Sequence, residues 1–274
     1  LYTINMTSFT VVAGESQDVS VTFSPSGNSM QTGTITITNN SSSSNTVSVT
    51  GVGTSDGGIA VSGVISSNTT WALSNSPYIV TDNILLNEGI TLTIEAGVTV
   101  KMLSGKDFQV KGELIAQGTN ASKITFTSNE SSPAAGDWGK LQFFDESTDA
   151  VFNSDTYASG SILEYCIVEY AQELLIQSSA PFIYYSEFRY NSESGIKADG
   201  NSTDLRIKHC NIHHNNKGLD ISNSGSTVSY NTIQNNTPHG GGEISSATFS
   251  YNIVKNNTLD GWCHECLSLI HISE

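Results

Sequence analysis

The chain has 274 residues, only 14% of them charged, with 24 Gly, 5 Pro and a formal net charge of −15. This composition predicts an all-β protein of short strands and turns, and with 11 Lys and Arg against 26 Asp and Glu a phosphate backbone is repelled, which argues against nucleic acid as a partner. No window approaches the ~18 apolar residues of a membrane span.

The chain opens LYTINMTSFT, without an initiator Met, a basic n-region or an apolar h-region, and reads as a fragment whose address label is missing. Residues 9 to 51 then alternate apolar and polar: Val19, Val21 and Phe23, Ile35 and Ile37, Val47 and Val49 recur at period two and predict strands with one buried face. The turn-rich stretches SPSGNSMQTG and NNSSSSN between them suit an antiparallel sandwich. The series G-x-S-x-x-V-x-V-x-F-x-P, G-x-I-x-I-x-x-N and V-x-V-x-G-x-G resembles the back half of Ig-like domains of the choice-of-anchor and Hydin kind, which implies a partial Ig-like β-sandwich over residues 1–54. Half a sandwich leaves an unpaired edge, so this segment is expected to be marginally stable alone.

TSDGG, residues 54 to 58, is a run of small residues expected to act as a hinge, and after it the pattern changes. Pairs of short apolar strands separated by glycine follow: ILLNEGITLTIEAGVTVKM at 84 to 102, FQVKGELIAQGT at 108 to 119, KITFTS at 123 to 128 and GDWGKLQFF at 136 to 144. These linked segments resemble secreted bacterial right-handed parallel β-helix proteins of the pectin-lyase-like class. The resemblance implies a right-handed parallel β-helix, a solenoid, over residues 55–266.

The C-terminal half supports a solenoid independently. LEYCIVEYA from Leu163, IYYSEFRYN from Ile183, IKHCNIHHN from Ile207, VSYNTIQNN from Val228 and FSYNIVKNN from Phe249 superpose without gaps, one coil apart. The first and sixth positions are always apolar and predict two interior ladders. The third, Tyr165, Tyr185, His209, Tyr230 and Tyr251, predicts a stacked aromatic ladder. The fourth, Cys166, Ser186, Cys210, Asn231 and Asn252, and the ninth, with Asn191, Asn215, Asn236 and Asn257 after Ala171, predict polar ladders at the turns.

This register decides how to read the cluster of His209, Cys210, His213 and His214, whose composition alone suggests a metal site. The four fall in separate columns, with only His213 expected to face solvent, in an outward column with Glu169, Arg189, Gln234 and Lys255. Ligands of one Zn²⁺ must converge within ~2 Å of the ion, so the structural reading is preferred. Cys166 and Cys210, two coils apart, are ~10 Å from each other and are expected to be reduced and buried.

Other motifs carry less. CHEC at 263 to 266 has the spacing of a metal or redox pair but no second pair. It abuts LSLIHISE, residues 267–274, which reads as a translated sequencing adapter. RIK at 206 to 208 and HG at 239 to 240 are pieces of the polygalacturonase signature in the wrong order, without that family's paired aspartates. Asp199, Asn201 and Asp204 in DGNSTD, and the four acids of DESTDAVFNSD at 145 to 155, offer oxygens to a Ca²⁺ with a spacing unlike an EF-hand loop; solvated turns are the alternative, and no other cofactor is expected.

Three functions remain open. The chain reads first as a structural or adhesive module of an extracellular or cell-surface protein. A second reading is binding of a polysaccharide or surface glycan by outward side chains on neighbouring rungs: Glu164, Glu169, Tyr184, Glu187, Arg189, Lys208 and His213, here taken to share one sheet. The third is a polysaccharide lyase or glycoside hydrolase of the pectin-lyase-like class, in which Arg189 and Lys208, beside Glu187 and Glu169, are the candidate basic pair.

Overall fold

The computed structural model describes residues 2–23, 30–39, 45–52, 58–202, 204–222, 225–238, 242–245, 247–258 and 271–272. They form two compact units, residues 1–60 and 61–274. Of the segment 54–58 expected to act as a hinge, residues 54–57 lie outside the described residues.

In the first unit Tyr2–Ile4 pairs antiparallel with Val21–Phe23, and Met30–Ile37 with Asn45–Val52. Tyr2 and Phe23 stack with ring centroids 4.8 Å apart. They lie against the other pair at its glycines, where a Cβ on Gly33 would stand 2.9 Å from the Tyr2 ring and one on Gly51 2.7 Å from the Phe23 ring. The expected buried face is realised in part: Val19, Phe23, Ile35 and Val49 are half-buried, whereas Val21, Ile37 and Val47 are 39%, 43% and 48% exposed. The alternation is present, but burial needs a second apolar layer, and among the described residues the rings of Tyr2 and Phe23 are what lies against the glycines of the neighbouring pair.

The second unit is a right-handed parallel β-helix. Its first face stacks eight parallel strands, Thr69–Trp71, Thr91–Ile94, Glu113–Gln117, Ile162–Glu164, Phe182–Tyr184, Arg206–Lys208, Thr227–Ser229 and Thr248–Ser250. The second stacks Thr99–Met102, Ile124–Ser128, Cys166–Glu169, Glu187–Arg189, Asn211–His213, Thr232–Gln234 and Ile253–Lys255, with His271–Ile272 paired beside the last. The third stacks Phe108–Val110, Lys140–Phe143, Glu173–Gln177, Ser194–Asp199, Lys217–Ile221 and Gly242–Ile244. The strand Tyr78–Leu86 rounds a corner and starts both of these faces, pairing Tyr78 with Val100 and Ile84 with Phe108.

The register is the one that the repeats predict. Leu163, Ile183, Ile207, Val228 and Phe249 are successive partners on the first face, as are Val168, Phe188, Ile212, Ile233 and Val254 on the second. All ten are buried, and each contributes roughly 1.5–3 kcal/mol of apolar burial before conformational entropy opposes it. Leu174, Ile196 and Leu219 supply the matching ladder from the third face.

Both corners turn on left-handed residues. Tyr165, Tyr185, His209, Tyr230 and Tyr251, between the first and second faces, have φ from 45° to 60°, and Tyr170, Tyr190, His214, Asn235 and Asn256, between the second and third, from 54° to 61°. This conformation costs roughly 1–2 kcal/mol for a residue with a Cβ. It throws the side chain outward and turns the next one in. The outward rings stack from coil to coil at 5.0, 4.8, 5.0 and 4.9 Å, and these contacts offset part of the cost. One expectation is thereby corrected: His209 and His214 are the exposed histidines, because each is a corner residue, whereas His213 is half-buried in the second face.

The inward residue after each corner forms the predicted polar ladder. Asn215 Oδ1 accepts from the backbone N–H of Asn191, and its amide donates to the Phe188 carbonyl; Asn191, Asn236 and Asn257 repeat the pattern. At the other corner Asn231 Oδ1 accepts from Cys210 N–H and Asn252 Oδ1 from Asn231 N–H. Cys166 and Cys210 are free thiols buried in this column, and burial pushes both thiol pKa values up, that of Cys210 to about 12.

Candidate functional site

The outward column of the second face is Thr127, Glu169, Arg189, His213, Gln234 and Lys255, with Glu187 two residues before Arg189 in the adjacent outward column. Arg189 Nε donates to Glu169 Oε2 at 2.7 Å, and its Nη1 donates to Glu187 Oε1 at 2.8 Å. Thr127 supplies a hydroxyl donor to Glu169 Oε1 at 2.9 Å, and Lys123 Nζ lies 3.4 Å from Glu187 Oε2. His213 Nε2 is 3.0 Å from Glu187 Oε1. Each of the four carboxylate oxygens thus has a partner.

The electrostatics follow from these contacts. Glu187 is held down to about 2, first by its hydrogen bond with His213 and, against the opposing effect of burial, by the charges of Arg189 and Lys123. An ionised carboxylate only accepts, so His213 Nε2 carries a proton, and in the neutral ring Nδ1 is left to accept from His214 Nδ1 at 2.7 Å. Burial pulls His214 down, and protonation of His213 would lower it further. Burial also opposes the charge on Arg189, yet its bonds to Glu169 and Glu187 hold it above the ordinary guanidinium range.

The remaining sequence candidates lie elsewhere. Glu164, Tyr184 and Lys208 project from the first face, across the corner carrying the aromatic ladder, so the seven residues read as one sheet are divided between two. Gln117 donates to Glu164 Oε2 at 3.1 Å, and Lys208 lies 3.9 Å from Asp155. Tyr184 packs on Phe182 and Tyr185, and burial raises its hydroxyl to about 12. Arg189 and Lys208 therefore form no basic pair; the cation that shares a carboxylate with Arg189 is Lys123, missed because it lies outside the aligned repeats.

The acidic insertion is a hairpin, Val151–Asn153 against Thr156–Ser159. Its Phe152 meets Phe182 edge-on at 5.0 Å, and Arg206 sits 3.7 Å over Phe152. The acids are dispersed: Glu146 binds Lys111, Asp149 accepts from Ala180 N–H, and Asp204 binds Arg206. Among the described residues no three His, Cys, Asp or Glu side chains gather as metal ligands would. Residues 239–240 and CHEC at 263–266 lie outside the described residues.

Chemically, Thr127, Glu169, Glu187, Arg189, His213 and Lys123 form one connected set of charge-assisted hydrogen bonds. No curated protein and no solved structure matches the chain. A family model described as a pectate-lyase-like β-helix domain matches residues 63–171, so the chain is a parallel β-helix repeat protein similar to that family over the early coils.

Proposed function

We propose that the chain is a structural and adhesive module of an extracellular or cell-surface protein, possessing a rod whose outward side chains hold a polysaccharide or surface glycan without cleaving it. Its first 54 residues we read as part of an Ig-like sandwich. One observation supports the non-enzymatic reading above others: Glu169, Glu187 and Arg189 of the second face satisfy each other. A lyase base must be able to lose a proton, and Arg189 between Glu169 and Glu187 is held protonated. A glycosidase acid needs a carboxyl raised toward neutrality, and Glu187 is lowered.

The test incubates the chain with neutral and uronate polysaccharides, with and without Ca²⁺, and follows new reducing ends, unsaturated-product absorbance and co-sedimentation with insoluble glycans. Saturable co-sedimentation without product is expected. Product that disappears in Arg189→Ala or Glu187→Ala would replace this reading with a lyase or hydrolase.

A further inference from the structure

The third face carries a cleft beside buried charge. A cleft of about 380 Å³ is lined by Glu173, Glu193, Ser194, Lys197, Asn216, Lys217 and Asp220. Glu173 is 1% exposed; its Oε1 is bonded to Lys140 Nζ at 2.8 Å, and its Oε2, also buried, has no hydrogen-bond partner among the described residues. Asn216 Oδ1 is in the same condition, although the amide nitrogen of that side chain donates to the Ser192 carbonyl at 3.2 Å. Two buried acceptors without donors among the described residues, on residues that line one cleft, are costly, because each has lost its water without gaining a hydrogen bond in return.

The surrounding charges narrow what could supply those donors. A cation would meet the ammonium of Lys140 on Glu173 and those of Lys197 and Lys217 in the wall. An anion would meet Glu173, Glu193 and Asp220. Glu193 is engaged by Gln172 at 2.7 Å and Asp220 by Lys217 at 3.0 Å, which leaves Lys197 as the cation of the wall without an ion pair among the described residues. The wall offers no apolar side chain to seat a hydrophobic group. A neutral ligand rich in hydroxyls meets all of these conditions, since each O–H donates and each oxygen also accepts.

We propose that this cleft is a binding site for a neutral sugar unit, two of whose hydroxyls donate to Glu173 Oε2 and Asn216 Oδ1 while Lys197 donates to a third oxygen. This goes beyond the adhesion proposed above, placing a site on a different face with a stated ligand chemistry. It stands apart from whatever the second face binds.

The experiment titrates the chain by calorimetry with tetrasaccharides of glucose, galactose and mannose, with tetragalacturonate and with CaCl₂. Alongside it run Asn216→Ala and Lys197→Met, two changes in the cleft wall, and Arg189→Met on the second face. Expected is saturable binding of at least one neutral tetrasaccharide, weakened about tenfold by Asn216→Ala and by Lys197→Met, as loss of one hydrogen bond requires. Thermal unfolding at the wild-type temperature confirms that the cleft variants are folded. Binding of tetragalacturonate or Ca²⁺ alone, binding indifferent to both cleft variants, or no binding of any neutral sugar would overturn the proposal. Neutral binding lost only in Arg189→Met would overturn it too, and would return the glycan to the second face.

Discussion

Two faces of the same helix treat buried carboxylates differently. On the second face Glu169 and Glu187 have a partner at each oxygen, and their charge is matched by Arg189, with Lys123 and His213 at hand. On the third face Glu173 is more deeply buried and half-satisfied. A fully bonded ionic network fixes geometry and holds little in reserve for a ligand; an orphaned oxygen keeps its bonding capacity available. The contrast teaches that the charged residues most conspicuous in the repeats are bonded to one another, while a less conspicuous carboxylate of the third face has one oxygen unpartnered among the described residues.

The comparison can be broken first by removing its keystone. Arg189→Met should leave two carboxylates stranded and cost about 2–3 kcal/mol by urea unfolding, less than the 3–5 kcal/mol of a fully buried pair because the guanidinium is 30% exposed. An unchanged midpoint would mean that the network contributes nothing.

Acid should sharpen it. The Glu187 carboxyl lies at about 2 in the folded chain against an ordinary 4.5, so its stabilisation is complete above about pH 4.5 and is lost as pH falls toward 2. Urea midpoints should therefore decline across that window, and in Arg189→Met, where the folded carboxyl moves back up, the decline should be shallower. Equal slopes in the two proteins would contradict the assignment.

The smallest effect contrasts the carboxylates directly. Glu187→Gln replaces an acceptor with three partners, whereas Glu173→Gln changes one with a single ion pair. The first should lower the unfolding free energy, measured in urea, more than the second by an amount on the order of 1 kcal/mol, and the reverse order would refute the distinction.

Much of the helix was legible because a solenoid repeats its constraints. The apolar columns from Leu163 and Val168, the stacked Tyr165 column and the Asn215 ladder each recur often enough to fix register without coordinates. The outward turn of His209 and His214 was not legible, since it depends on a left-handed φ that spacing does not encode; the series Tyr, Tyr, His, Asn, Asn at the second corner was its available trace. The division of the candidate residues between two faces has the same origin, because the aligned segments run straight through a corner. Glu173 and Asn216 escaped notice because they fall after the aligned segments. Extending the alignment to ELLIQ, SGIKAD and KGLDI would have placed Leu174, Ile196 and Leu219 in one column and drawn attention to the charges around it.

The asparagine ladders have a mechanical consequence. Their bonds, like those of the three sheets, join each coil to the next, so tension along the axis loads one interface after another in series. Each coil of about 21 residues advances the rod by about 4.8 Å while folded and pays out some 70 Å when peeled away. Under pull such a rod yields coil by coil, lengthening more than tenfold at each step while the coils still stacked keep their grip.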